Sequence, residues 1–208
     1  MFALGLTGSI ATGKSSVLAM FAANGVPTFS SDQAVHDLYQ DQAVEPLTEL
    51  FPASIVEGKV DREKLGAHLV AHPELIAQLE AIVHPLVRAR MEAFVRQCTL
   101  DKVDLAVLEI PLLFETAAHY PIDAVAVTWC SDTLQRQRAL ERPGMNVEKL
   151  NTILARQMSQ SDKKARADFV IDTGTTLTET KSQVETIINA CRNISDDKNS
   201  PTSQEPTF

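Results

Sequence analysis

The 208-residue chain predicts an α/β fold around a five-stranded parallel sheet, and three features carry that prediction. Five short apolar runs alternate with helical patterns, the signature of strands joined by crossover helices. A glycine-rich corner, GSIATGKSS, turns the first run into a helix. Two stretches of helical character, one apolar-striped and one basic, interrupt the alternation.

The strands are expected at residues 2–6, 26–29, 103–108, 124–128 and 169–171. Each is rich in Val, Ile, Leu or Ala and lacks clean alternation, as strands buried on both faces do. The last helix shows Val184, Ile187, Ile188 and Cys191 on one face. Between the second and third strands lie over seventy residues with no strand-like run. Within them Leu75, Ile76, Leu79, Ile82, Val83, Leu86, Val87, Met91, Phe94 and Val95 keep helical spacing across Pro85. Proline removes a donor and disfavours helix in the preceding residue, so a kink or a join of two helices is expected at His84. Residues 43–98 read as a helical insertion, and 136–166 as a second, smaller one. The polar end, 194–208, reads as a disordered tail, leaving residues 1–193 as one domain.

The formal net charge of −8 argues against a surface built for nucleic acid or an anionic membrane. Residues 136–166 depart from it, with eight Lys/Arg against three acids. A basic block in an acidic protein suggests a small polyanionic ligand; a solvated helical face is the alternative. Cys98, Cys130 and Cys191 are dispersed and form no CxxC pair, which fits reduced thiols rather than a disulfide framework or zinc site. The N-terminus lacks a basic leader, and no run approaches the ~20 apolar residues of a membrane span. The expectation is a cytoplasmic protein.

The corner matches GxxxxGK[ST] at Gly8, Gly13, Lys14 and Ser15. From ordinary residue usage, a chance match in a chain of this length is on the order of one per cent. The flanking strand and helix are the context the pattern needs. Glycines let backbone N–H groups turn inward as an anion nest, and the following helix aims its positive end there. Lys14 would reach the β- and γ-phosphates, and Ser15 would ligate Mg²⁺. A helix of about ten residues and a returning strand each span roughly 15 Å, so the end of strand two lies beside the loop. Asp32 stands there, in SSD. It reads equally as a functional carboxylate, accepting the proton of an attacking hydroxyl or helping to hold hydrated Mg²⁺, or as a first-turn acid behind a Ser30 or Ser31 cap. Strand three ends in EIPLLFE, where Glu109 and Glu115 bracket an apolar turn that lines a pocket or simply packs.

Taken in order, GLTGSIATGKSS, SSD, IVHPLVR, IPLLFE, ERPG…ILARQM and ARADFVIDTG resemble the dephospho-coenzyme A kinases. The resemblance runs from about Phe2 to Arg192; the phosphate loop is widespread, the HP pair, PLLFE turn and ARADFVID strand are more particular. It implies a three-layer P-loop kinase fold with a helical substrate-binding insertion and a helical lid. It also implies transfer of the γ-phosphate of ATP, with Mg²⁺, to the 3′-hydroxyl of dephospho-CoA by a monomer. Asp32 falls on the catalytic base, with Lys14, Arg138 and Arg142 in support. Gly8, Ala11, Thr12, Gly13, Lys14, Ser15, Ser16, Arg142, Thr173 and Gly174 fall on the nucleotide site. Thr7, Asp32, His84, Arg88, Leu112 and Glu115 fall on the acceptor side. Ser9 and Ala11 replace glycines of the family pattern, which calls for negative φ at both. Ser30 replaces an aspartate, and Thr173 an asparagine. The alternatives are a P-loop kinase for a nucleoside monophosphate or small metabolite, and a nucleotide-binding regulator. No NKxD-type base-reading motif supports a GTP-dependent one.

Overall fold

The structure, a computed structural model, describes residues 1–116 and 118–199. The chain divides into two compact units, residues 1–28 with 98 onward, and residues 29–97.

The first unit holds the parallel sheet. Its strands are β1 (Phe2–Gly8), β5 (Leu105–Glu109), β6 (Ala124–Trp129) and β7 (Phe169–Asp172), and β2 (Thr28–Ser30) starts at the unit boundary. The order is β2-β5-β1-β6-β7, as expected of five parallel strands. Register sets Leu6 beside Glu109 and Gly8 beside Thr128, and Trp129 beside Asp172. The carboxyl ends of these strands therefore form one edge, where such sheets bind ligands.

Helix α1 (Lys14–Ala23) buries Val17, Leu18, Met20 and Phe21 in the same cluster as Val184, Ile187, Ile188 and Cys191 of α9 (Leu177–Asn199). Phe2, Leu4, Leu6, Leu105, Val107 and Ile171 from the strands complete that core. At Gly5 an added Cβ would lie 2.9 Å from Ile122 and 3.6 Å from Leu113, so apolar groups press there against the bare backbone. Helices α6 (Asp132–Leu140), α7 (Val147–Arg156) and α8 (Gln160–Ala165) fill the basic segment. Helix α9 runs to Asn199, six residues into the expected tail; the rest of that tail lies outside the described residues. Ser195 on this stretch is still buried.

The second unit comprises α2 (Ser31–Leu38), α3 (Val44–Leu50), α4 (Arg62–Ala71) and most of α5 (Ile76–Leu100). A two-residue ladder, β3 (Ile55–Val56) with β4 (Lys59–Val60), also stands here, where no strand was expected. Its turn has Glu57 at φ 51° and Gly58 at φ 73°, the paired positive φ of a tight hairpin. Ladders this short leave no periodicity in sequence. Helix α5 is continuous through Pro85 rather than two joined helices. Leu79, Ile82 and Val83 before the proline and Leu86 and Val87 after it pack on one core with Leu38, Leu47, Phe51 and Leu65. That burial offsets the roughly 3 kcal/mol an internal proline costs.

Candidate active site

The phosphate loop leaves β1 at Gly8 and enters α1 through Gly13, whose φ of 87° only glycine adopts freely. Gly13 supplies no side-chain cap and no acid occupies the helix's first turn, a helix start that suits an anion. At Gly8 an added Cβ would lie 2.2 Å from Thr128 Oγ1 and 2.9 Å from the Thr128 carbonyl. Only a bare backbone passes there. Lys14 Nζ folds over the loop and donates to the carbonyls of Gly8 (2.9 Å) and Ser9 (3.4 Å). Ser15 and Ser16 are exposed on the first turn of α1.

Hydroxyl groups support the loop from below. Thr12 Oγ1 pairs with Thr128 Oγ1 at 2.7 Å and lies 2.8 Å from the Ser9 carbonyl. Thr173 Oγ1 donates to the Thr12 carbonyl at 2.9 Å, while Arg138 donates to the Thr173 carbonyl (2.8 Å) and hydroxyl (3.2 Å). At the apex, the Ile10 N–H donates to Gln157 Oε1 and the Ile10 carbonyl accepts from Gln135 Nε2, both at 2.9 Å.

Two cavities flank this loop and share no lining residue. One, about 360 Å³, gathers Ala11, Gly13, Ser16, Arg138, Arg142 and Thr173, with Val17, Met20, Thr175, Leu177 and Thr180. The other, about 740 Å³, includes Ser9, Trp129, Asp132, Gln135, Gln157 and Lys164. The smaller one lies at the N-terminus of α1 and holds two arginines, features that suit an anion.

The basic block is largely consumed by internal contacts. Lys163 is fully buried against Glu115 at 2.7 Å, Lys164 lies 4.6 Å over the Trp129 ring, and Arg136 donates to Asn151. The Arg142 side chain makes no hydrogen bond or ion pair among the described residues. Glu115 also accepts from the Met158 N–H at 2.9 Å. Burial pushes its pKa upward, but the Lys163 ammonium and the Met158 amide outweigh that and hold it below the usual glutamate range. The Thr7 hydroxyl donates to the Pro111 carbonyl at 3.3 Å, tying β1 to the same turn, and Leu112 is exposed. Gly174 is exposed and donates to Asp172; it is absent from the smaller cavity's lining.

The dephospho-CoA kinase (CoaE) family model matches residues 2–179. The chain belongs to the dephospho-CoA kinase family. It is 47% identical to the dephospho-CoA kinase of Agrobacterium fabrum over 188 residues, 90% of this chain and 97% of that protein. Among solved structures it resembles a Thermus thermophilus protein (TM-score 0.75, 28% identity, 91% of this chain and 96% of that one). It also resembles the dephospho-CoA kinase from Campylobacter jejuni (TM-score 0.65, 26% identity, 91% and 96%).

The family's loop pattern meets one surprise here. Ala11 sits at φ 61°, so the expectation of negative φ fails at that position, while Ser9 is not among the positive-φ residues. The Ala11 side chain is buried with Ala139 and Leu150. Ser30, in place of an aspartate, caps α2 by accepting from the Gln33 N–H, and Asp32 follows as an exposed first-turn acid. In the second unit His84 and Arg88 are both exposed, one turn apart on α5. Of that unit's other arginines, Arg90 pairs with Asp41 and Asp37, and Arg96 with Glu92.

Sequence reasoning missed Gln135, Gln157, Thr128 and the Thr175–Leu177–Thr180 wall. Uncharged side chains more than a hundred positions from the loop leave no local pattern. The one available signal was Gln157 inside ILARQM, a stretch already noticed for its resemblance.

Proposed function

We propose that this protein phosphorylates the 3′-hydroxyl of dephospho-CoA with ATP, giving coenzyme A and ADP. The observation that carries the reading is the uncapped N-terminus of α1 at the end of a close-packed glycine loop, in a chain of this family. In the reaction the acceptor oxygen bonds to the γ-phosphorus, the bond from that phosphorus to the β,γ-bridging oxygen breaks, and the hydroxyl proton passes to Asp32. Lys14 and the loop amides hold the β- and γ-phosphates, and Arg142, which lines the smaller cavity, neutralises charge on the group in transfer. Arg138 works through Thr173, bracing the loop. Closure of α6 and α7 excludes water, so that ATP is not merely hydrolysed.

Mg²⁺ fits the residues present: the exposed Ser15 hydroxyl offers one oxygen beside the phosphates, and this hard cation keeps several waters. When bound, it would supply positive charge that offsets the charge of the phosphates. His84, Arg88, Leu112 and Glu115 are the acceptor-side candidates. Glu115 acts there through its ion pair with Lys163.

A cytoplasmic setting is supported by three buried free cysteines, among which burial and nearby Asp123 and Asp168 push Cys191 up to about 12. No helix among the described residues is long and apolar enough to cross a membrane. We take the working form as a monomer.

The test is ADP release with ATP, Mg²⁺ and a panel of acceptors. Dephospho-CoA should support turnover and nucleoside monophosphates should not; the reverse selects the other kinase reading, and tight binding without turnover selects a regulator. Asp32→Asn should keep ATP affinity and lower kcat by about 10²–10⁴-fold. A near-normal rate removes Asp32 as base.

A further inference from the structure

We infer that Gln135 and Gln157 form a two-point clamp on the apex of the phosphate loop and are positioning residues for the nucleotide. This rests on the reading of the loop as the ATP site. Both polar backbone groups of Ile10 are taken by side-chain amides, the N–H by Gln157 Oε1 and the carbonyl by Gln135 Nε2. The orientations are fixed by chemistry. Gln160 Nε2 donates to the Asp132 carboxylate (2.8 Å), which can only accept, and to Gln135 Oε1 (3.1 Å). Gln135 must then present its NH₂ to Ile10, and Gln157, facing an N–H, must present its oxygen.

The clamp is itself anchored. Gln135 is 3% exposed, so its side chain is largely shielded from water. Beside Gln157, the Met158 N–H is held by Glu115, whose carboxylate meets the fully buried Lys163. A continuous path thus joins a buried ion pair to the loop apex. A second, independent observation shows what the clamp must hold. The residue after Ile10 is Ala11, in the left-handed region at φ 61°. Such a conformation persists only where its surroundings over-determine it. Released at Ile10, the apex relaxes, and the amides that should meet phosphate turn with it.

The test uses Gln135→Met and Gln157→Met, which keep length and lose polarity. Each should weaken ATP binding by calorimetry, and raise KM for ATP, about tenfold, as expected for the loss of one part-buried hydrogen bond. KM for dephospho-CoA should stay unchanged. The double variant should cost little more than either single one, since either loss frees the apex. Glutamate variants separate the clamp from generic packing or charge: Gln157→Glu keeps the acceptor, whereas Gln135→Glu removes the donor, so the second should bind ATP more weakly. Should a methionine variant fail to fold, the glutamate pair decides. Wild-type ATP affinity in both methionine variants, equal rises in both KM values, or equal effects of the two glutamates would overturn the clamp. Lys14→Ala serves as control: if it too leaves ATP affinity intact, the site reading fails, not only the clamp.

Discussion

The phosphate loop and the helical unit of residues 29–97 are held together by different means. Residues 8–14 are fixed by hydrogen bonds from Thr128, Gln135, Gln157 and Thr173, each over a hundred positions away. The helical unit is fixed by an apolar core of near neighbours, Leu38, Leu47, Phe51, Leu65 and Val83, with exposed ion pairs such as Arg90–Asp41 that contribute little. Hydrogen bonds set direction, and buried area sets stability. The loop should therefore fail in chemistry before it fails in folding, and the helical unit in the opposite order.

The largest expected effect is Gly8→Ala. A methyl there meets the Thr128 backbone at 2.9 Å, which no rotamer relieves. Turnover should fall by about 10³-fold or more, the scale set by losing oriented phosphate contacts. Normal kinetics would show that the loop moves aside and that close packing does not define it. Phe51→Ala tests the other half of the comparison. Phe51 is 2% exposed and stacks edge-on to His68 at 5.8 Å. Truncation should cost about 4 kcal/mol in urea unfolding, with ATP affinity of the folded protein unchanged. A matching loss of ATP affinity would dissolve the distinction between the two regions.

The same difference explains what was legible in sequence. Helical periodicity is local, so the stripe from Leu75 to Val95 and the face Val184–Ile187–Ile188–Cys191 were readable, as were the strands and the GxxxxGKS corner. At Pro85 the local cost was visible in sequence and the core offsetting it was not. The supports of the loop were hidden for a related reason: a buried glutamine reads like any polar helical residue until folding shows its partner. The internal contacts of the basic block were hidden in the same way: charge is visible in sequence, whereas Glu115, the partner of Lys163, lies 48 positions upstream.

That ion pair supplies the next test. Glu115→Gln leaves the Lys163 ammonium buried without its counter-charge and should destabilise by about 3 kcal/mol. The pH dependence has a definite sign. The folded-state pKa of Glu115 lies below its ordinary value of 4.5, so its contribution is fully present above that value. It is lost as pH falls through the lowered folded value. The wild-type protein should therefore lose stability on acidification in that range, and the variant should show a shallower slope there. Parallel acid-unfolding curves would show that the pair is not coupled to folding.

Ala11→Gly should have the smallest effect, and it bears on the comparison most finely. Glycine relieves a left-handed φ that costs an L-residue about 1–2 kcal/mol. It also removes a methyl buried with Ala139 and Leu150, worth about 0.8 kcal/mol, and raises unfolded-chain entropy by roughly 0.5–1 kcal/mol. These oppose one another, so stability should change by less than about 1 kcal/mol. A clear gain would mean that strain dominates at Ala11 and that the loop tolerates it only because the glutamines hold the apex. A clear loss would mean that the methyl joins the loop to α6 and α7 as packing does elsewhere. In that event the loop shares the helical unit's means of support, and the contrast drawn between them narrows to its hydrogen bonds.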